Sequence, residues 1–317
     1  QLLRGASSLP ATLYVIAAAS PFQNGMIKRC FAVTKLALGT IASLYHLLIG
    51  RPALIIGFGG YPSFAPLIAG RLLGIPILLH EQNAFLGRAN HILAKFANAL
   101  ALSWPQTKNL PDMRHLEVTG IPVRQAFFDA AQTPYRIAAT TTVNLVVLGG
   151  SQGASILASL VPDAIAMLDP AMRQRLHIHQ QARREQIDRL QDRYEDLGMM
   201  ADIQPFYKDM PSLLRQSHLV ICRAGASSVA ELAAIGRPSL LLPLPSAMDG
   251  HQRMNALQMQ DAGGAICLDE KNLSAAVLAT RLMQLLETPK TLSKMAKSAR
   301  NLASPDAASL IAAMAEN

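Results

Sequence analysis

The sequence predicts an α/β chain of two halves, each built on a mainly parallel sheet. Three observations carry that prediction. The chain has 317 residues, about twice the ~150 residues expected of one domain. Apolar runs of strand length alternate with segments of helix length, the pattern of βαβ units. Three of those runs open into glycine-rich loops that lead into helices. Half of the residues are hydrophobic and 16% are charged, enough to fill a core and incompatible with disorder. No run of consecutive apolar residues reaches the ~18 expected of a spanning helix. Three cysteines, at 30, 222 and 267, exclude a disulfide scaffold and a structural zinc module.

In chain order the expected strands are Leu13–Ala17, Ala53–Gly57, Ile75–Leu79, Ala99–Leu102, Val143–Leu148, His177–His179, Leu219–Cys222 and Ser239–Leu242. The expected helices include 24–49, 64–73, 84–97, 153–167, 182–197, 226–234 and 251–262. Prolines 105, 111, 122 and 134 break the periodicity over 104–140, so a linker is expected near 125–140. The halves are residues 1–130 and 131–317, both Rossmann-like and facing across a cleft. Ligands of such sheets bind beyond the carboxyl ends of strands.

Charge is unevenly placed. Residues 1–130 carry 11 Lys/Arg against 4 Asp/Glu, and no acid precedes Glu81. Such a half suits an anionic partner. Aromatics are 5% of the chain and no helix-turn-helix or RNP-like motif occurs, so no nucleic acid is expected and anionic lipid is preferred. An ordinary solvated basic face is the alternative. Within 24–49, Met26, Ile27 and Phe31 accompany Lys28, Arg29 and Lys35, an interfacial pattern. The leucines that follow read most simply as core.

The glycine loops and strand ends carry the chemistry. Gly149-Gly150-Ser151-Gln152-Gly153-Ala154 joins a strand to a helix start, where backbone N–H groups attract phosphate. Its spacing is not the dinucleotide fingerprint. Gly57-Phe58-Gly59-Gly60-Tyr61-Pro62-Ser63 is too glycine-dense for an ordinary connection, and Ser63 could cap the next helix. A close helix–strand contact is the other explanation.

Arg223-Ala224-Gly225-Ala226-Ser227-Ser228-Val229-Ala230-Glu231 is the sharpest motif. It offers N–H groups and hydroxyls for a diphosphate, and a carboxylate that can accept both hydroxyls of a ribose. Glu231 as a helix-capping acid competes with that reading. Asp249-Gly250-His251-Gln252-Arg253-Met254-Asn255 follows another strand, with Gln252 and Asn255 suited to sugar hydroxyls or to turns. His80-Glu81-Gln82-Asn83 sits at a strand end, as a site or as a satisfied turn. His177 and His179 share a strand face without acidic or Cys neighbours at ligand spacing, so no metal is expected. No Ser-His-Asp arrangement is legible.

Together these six segments, with Gly120-Ile121-Pro122-Val123-Arg124 completing the set, resemble the MurG family of peptidoglycan glycosyltransferases over nearly the whole chain. The resemblance implies a GT-B fold, an acceptor- and membrane-facing first half and a UDP-sugar-binding second half. It implies transfer of N-acetylglucosamine from UDP-N-acetylglucosamine to the C4 hydroxyl of lipid I, an undecaprenyl-diphosphate-linked acceptor, with inversion. No cofactor is implied, and the enzyme would be peripheral on the cytoplasmic face of the membrane.

By the same resemblance, Glu231 holds the ribose hydroxyls and Ser151 meets the diphosphate beside the helix start Ala226, Ser227, Ser228, Val229 and Ala230. Gln252 with His251 reads the sugar, Asn83 and Arg124 close the cleft, and Tyr207 lies by the uracil through its backbone. The family's Gly-Gly-Thr-Gly-Gly-His loop, whose histidine is the favoured base, is not in this sequence. The catalytic base is therefore unassigned, and the chain is expected to lack its start and to transfer slowly or not at all by itself. A second departure is Ala182, where the family carries glycine.

Three other classes compete. A UDP-N-acetylglucosamine 2-epimerase would share architecture and donor but would not need the acid-free half. A non-catalytic membrane-docking subunit would explain the absent loop. A nicotinamide-dependent dehydrogenase is disfavoured by the glycine spacing.

Overall fold

A computed structural model describes residues 12–19, 25–138, 142–149, 155–247 and 250–316. Two compact units divide the chain: Gln1–His80 with Arg88–Leu100, and Glu81–Gly87 with Ala101–Asn317.

The first unit holds α1 (Met26–Gly50), β1 (Ile55–Gly57), α2 (Phe64–Leu72), most of β2 (Ile77–Glu81), α3 (Arg88–Leu93) and the start of β3 (Ala99–Leu102). With β4 (Leu116–Val118), the strand order of this sheet is β1-β2-β3-β4. β1 and β2 pair in parallel, Ile55 opposite Ile77. Every residue of β2 is buried, as expected of a parallel strand covered on both faces.

Glycines let α2 approach β1 closely: a Cβ at Gly57 would lie 2.6 Å from Leu67 Cδ1, and one at Gly70 only 2.3 Å from Ile55 Cδ1. Gly59 and Gly60 take φ +78° and +75°, which side-chain-bearing residues avoid. Ser63 does not cap α2; its hydroxyl donates to the Gly59 carbonyl at 2.8 Å and ties the loop instead. The density of glycine here thus has a backbone explanation.

Two expectations for the first half are corrected. Residues 12–19 take no regular secondary structure. The Leu13–Ala17 run instead lies along α1, with the Tyr14 ring centroid 4.0 Å from that of His46, the rings tilted by 32°, and the Ala17 carbonyl against Gly39. An apolar pentapeptide can serve as a strand or as a cover for a helix, and its own pattern does not separate the two.

The second correction concerns α1, which buries its small residues Ala32, Gly39 and Ser43 and packs on α2. Of the residues expected as core, Leu38, Ile41 and Leu48 are exposed and Leu36, Leu44 and Leu47 only half-buried, while Phe31, Tyr45 and Ile49 are exposed as well. Its segment Cys30–Gly50 has mean hydropathy 1.5 and is long and apolar enough to cross a membrane by length and composition. Counting consecutive apolar residues missed it, because Thr34, Lys35, Thr40, Ser43 and His46 interrupt the run without lowering its mean much.

The second unit continues with α4 (Gln125–Ala130), β5 (Val143–Leu148), α5 (Ser155–Ala166), α6 (Pro170–Gln174), β6 (Leu176–Gln181), α7 (Ile187–Asp196) and β7 (Ala201–Gln204). Then follow α8 (Met210–Gln216), β8 (Leu219–Cys222), α9 (Ala226–Ile235), β9 (Ser239–Leu241), α10 (His251–Asp261), β10 (Ala265–Cys267), α11 (Ala275–Leu286), α12 (Pro289–Arg300) and α13 (Ala307–Glu316).

The six-stranded sheet has the order β10-β9-β8-β5-β6-β7, every adjacent pair parallel. Period-two alternation divides its side chains between two cores. Leu145, Val147, Leu219 and Ile221 pack with α5, α7 and α11. Val146, Val220, Cys222 and Leu241 pack with α9, α10 and α4. The segment expected as a linker carries α4, whose Phe127 and Phe128 are buried in the second of these cores.

Candidate nucleotide-sugar site

Strand order fixes where a ligand would enter the second unit. From β5 the chain winds outward through β6 and β7, then returns to β8 on the other side of β5 and winds through β9 and β10. The switch point is therefore between β5 and β8, and ligands of open parallel sheets bind beyond the carboxyl ends there. Leu148, Cys222 and Leu241 lie in one row across β5, β8 and β9. The two loops at the switch are the ones that the sequence singles out. Gly149 is buried at the end of β5. Ser151, with Gly150 to Ala154, lies outside the described residues, as does Asp249.

From β8 the chain turns through Arg223–Gly225 into α9. Gly225 has extended backbone (φ −63°, ψ 145°) and no side chain caps this helix. The first intrahelical bond runs from Val229 N–H to the Gly225 carbonyl at 3.0 Å, so the N–H groups of Ala226, Ser227 and Ser228 precede the helical ladder and are open to an anion. Ser227 is exposed and Ser228 half-buried. Val229 is corrected to a supporting role: its side chain is fully buried in the core and its N–H is already bonded. Ala230 lines a cavity of about 240 Å³ together with Trp104, Val123, Ala233 and Leu302.

Glu231 stands in the second turn of α9, and the first turn holds no acid. It is therefore not a capping acid, since dipole stabilisation fades beyond the first turn. Its side chain is 27% exposed and lies 3.9 Å from Arg124 Nη2. Burial raises its carboxyl above the usual range, opposed by the Arg124 charge. Arg124 precedes α4 with extended backbone, is 69% exposed, and rests over the Phe127 ring at 5.1 Å. That exposure makes the pair weak by itself and leaves the guanidinium accessible to a ligand. Behind them Cys222 is buried, its thiol pushed up to about 12 by burial and by Glu231.

Around this centre the remaining candidates separate by role. Gln252 accepts from Leu244 N–H at 2.9 Å, which orients its amide nitrogen to donate elsewhere. His251 opens α10 just after Gly250, whose φ of +64° turns the chain. Tyr207 donates its hydroxyl to the Asp202 carbonyl at 2.6 Å, and burial raises its pKa. Its side chain is thus occupied, which leaves its backbone for any ligand.

Asn83 donates to Glu81 Oε1 through both its backbone N–H (3.0 Å) and its Nδ2 (2.9 Å), and accepts from Asn255 Nδ2 at 3.0 Å. One amide proton and one lone pair of that carboxamide remain. The first-half motif is largely a braced turn: Gly87 N–H donates to Glu81 Oε2, Ser103 Oγ to the Glu81 carbonyl and Trp104 Nε1 to the Gln82 carbonyl.

Asn255 is a brace and not a sugar reader. It is fully buried, accepts from Ala84 N–H at 2.8 Å, and donates to Asn83 Oδ1 and to the Ala224 carbonyl. One carboxamide thereby joins the Asn83 loop to the Arg223–Gly225 turn. No local signal reveals this, because Ala84 is 171 positions away.

The histidine pair also needs revision. The neighbouring strand supplies the acid that local sequence lacks, with Asp202 Oδ2 3.1 Å from His179 Nδ1. Among the described residues no group of three His, Cys, Asp or Glu could hold a metal ion.

Comparisons with known proteins follow this geometry. The glycosyltransferase family 28 N-terminal domain matches residues 10–102 and the family 28 C-terminal domain matches residues 144–311. The UDP-N-acetylglucosamine–N-acetylmuramyl-(pentapeptide) pyrophosphoryl-undecaprenol N-acetylglucosamine transferase of Methylobacterium radiotolerans is 40% identical over 312 residues, 97% of this chain and 85% of the relative. The transferase of that name from Granulibacter bethesdensis is 42% identical over 302 residues, 94% and 79% of the two chains.

Among solved structures, MurG of Acinetobacter baumannii superposes with a TM-score of 0.76 at 30% identity, covering 99% of this chain and 86% of that one. The UDP-GlcNAc 2-epimerase of Neisseria meningitidis bound to UDP-GlcNAc reaches 0.64 at 14% identity, covering 94% and 84%; this is a likeness of fold alone. Two parallel-sheet α/β domains of the GT-B type, built on these sequences, identify the chain as a member of glycosyltransferase family 28, in its MurG branch.

Proposed function

We propose that the protein transfers N-acetylglucosamine from UDP-N-acetylglucosamine to the C4 hydroxyl of lipid I, giving lipid II for peptidoglycan. The observation that carries this reading is 40% identity over 97% of the chain to a transferase of that name. The second half, residues 131–317, binds the donor, and residues 1–130 serve the lipid-linked acceptor.

The chemistry follows from the site. The acceptor oxygen forms a bond to the anomeric carbon while the bond from that carbon to the diphosphate oxygen breaks with inversion. The electron pair leaves with UDP, and the hydroxyl proton passes to a base. Charge grows on the departing diphosphate, where the open N–H groups at the start of α9 stabilise it without a metal. Glu231 accepts the ribose hydroxyls, Gln252 and His251 read the sugar, Ser151 meets the diphosphate, and Tyr207 offers backbone to the uracil. Asn83 and Arg124 complete the set.

The membrane surface is the finer part of the proposal. The exposed apolar residues of α1, with Lys28, Arg29 and Lys35 near its start, would lie on anionic lipid at the cytoplasmic face, as a peripheral contact.

Calorimetric titration with UDP-N-acetylglucosamine, and with UDP-N-acetylgalactosamine for comparison, tests the donor site. Tighter binding of the first sugar is expected. Binding of neither would sink the reading, and formation of UDP-N-acetylmannosamine from donor alone would favour the epimerase.

A further inference from the structure

The turn Arg223–Gly225 decides where the open N–H groups of α9 point, and two side chains grip it. One is Asn255, on the Ala224 carbonyl. The other grip is electrostatic. Arg223 Nη1 donates to the Leu242 carbonyl at 3.2 Å, just past β9, and to the carboxylate of Glu270. Both partners are largely sheltered, with 11% and 21% of their side chains exposed.

Glu270 is itself held. It opens a 3₁₀ turn, Glu270–Asn272, capped by Asp269, whose carboxylate accepts from Lys271 N–H at 3.1 Å. Cys222, Leu241 and Cys267 lie in one row across β8, β9 and β10. The pair therefore straps together the carboxyl ends of three strands, beginning at the residue that follows β8.

We propose that Glu270 is a positioning residue for the nucleotide-sugar. Acting through Arg223, it holds the 223–225 turn so that the N–H groups of Ala226–Ser228 and the Glu231 carboxylate are presented together to a nucleoside diphosphate. The inference rests on the donor-site reading above. A sheltered, charge-assisted hydrogen bond is strong and directional, so it fixes the turn better than the single carbonyl contact that would remain without it. Glutamine keeps one acceptor oxygen for Arg223, whereas alanine leaves only Leu242.

Calorimetry with UDP on the wild-type chain, Glu270→Ala and Glu270→Gln tests this, with phosphorus NMR of bound UDP and urea midpoints on all three. Glu270→Ala should bind UDP about five- to twentyfold more weakly and shift the phosphorus resonances, while Glu270→Gln should lie within about threefold of wild type and restore them. UDP binding by Glu270→Ala as tight as wild type, or tighter, would overturn the inference. So would equal weakness of both variants accompanied by equal loss of urea midpoint, which would mark a role in folding only. If the wild-type chain binds no UDP, the donor-site reading fails and takes this inference with it.

Discussion

Glu231 combines a half-buried, raised carboxyl with a position that the helix dipole does not explain. Its replacement by alanine should weaken UDP binding by about 1.5–3 kcal/mol for each charge-assisted hydrogen bond lost, measured by titration near neutral pH. The sign of the pH dependence follows from the same carboxyl. Ribose hydroxyls donate to the ionised form, so affinity should fall as pH drops through a pKa above the ordinary carboxylate value. Glu231→Gln should flatten that fall.

His218 titrates in the opposite setting. Its Nδ1 accepts from Asn144 N–H at 2.9 Å, and burial, then the Arg237 charge, lowers its pKa. The unfolded chain therefore binds the proton first. The stabilisation is complete above the ordinary histidine pKa of about 6.5 and is lost as pH falls through the lower folded value. Urea midpoints at neutral and acidic pH should drop more for the wild-type chain than for His218→Asn, which keeps an acceptor but does not titrate.

Secondary-structure elements meet through a few braces whose removal is measurable. Asn255→Leu would strand the Ala84 N–H, the Ala224 carbonyl and the Asn83 carboxamide in a buried place. We expect a loss of about 2 kcal/mol or more in urea unfolding, together with weaker UDP binding because the turn before α9 loses its support. Gly120 has φ +84°, and a Cβ there would lie 2.3 Å from Ser304. Gly120→Ala should destabilise by about 1–3 kcal/mol, with calorimetric melting as the check. For α1, replacing Lys28, Arg29 and Lys35 with glutamine should reduce sedimentation with anionic vesicles while UDP affinity stays unchanged. Equal vesicle binding by that variant would remove the basic contribution to membrane contact.

For the molecule as a whole, the arrangement of the second sheet matters more than any single motif. A strand order that reverses between β5 and β8 brings the Gly149 end and the Arg223 turn to adjacent positions, although they are more than 70 residues apart in sequence. Much of this was legible beforehand. Runs such as Val143–Leu148 and Leu219–Cys222 are too short for buried helices and lead into glycine-bearing loops, so their strands were found with little error. Strands β4, β7 and β10 were missed because three or four residues are too few to show a period, and β4 is exposed throughout while β7 and β10 are only partly buried. The Leu13–Ala17 run was misread for the reason already given, that an apolar segment can cover a helix as readily as it can join a sheet.

What the sequence determined by itself is the set of local chemistries. Alternating apolar runs dictated parallel α/β units, glycines dictated the tight turns, and ordered motifs along the chain dictated the family. Tertiary structure decided which of those residues work together. It decided between the two readings left open for Asn255 in favour of a brace, took Val229 into the core, removed capping as the alternative for Glu231 and set it near Arg124, and placed Glu270 on Arg223. It also left Leu38, Ile41, Tyr45 and Leu48 of α1 exposed and buried Ala32, Gly39 and Ser43 instead. The physical reason is that hydrogen bonds, ion pairs and burial depend on distance in space, and at separations of 47 or 171 residues only the packing of the sheet sets that distance.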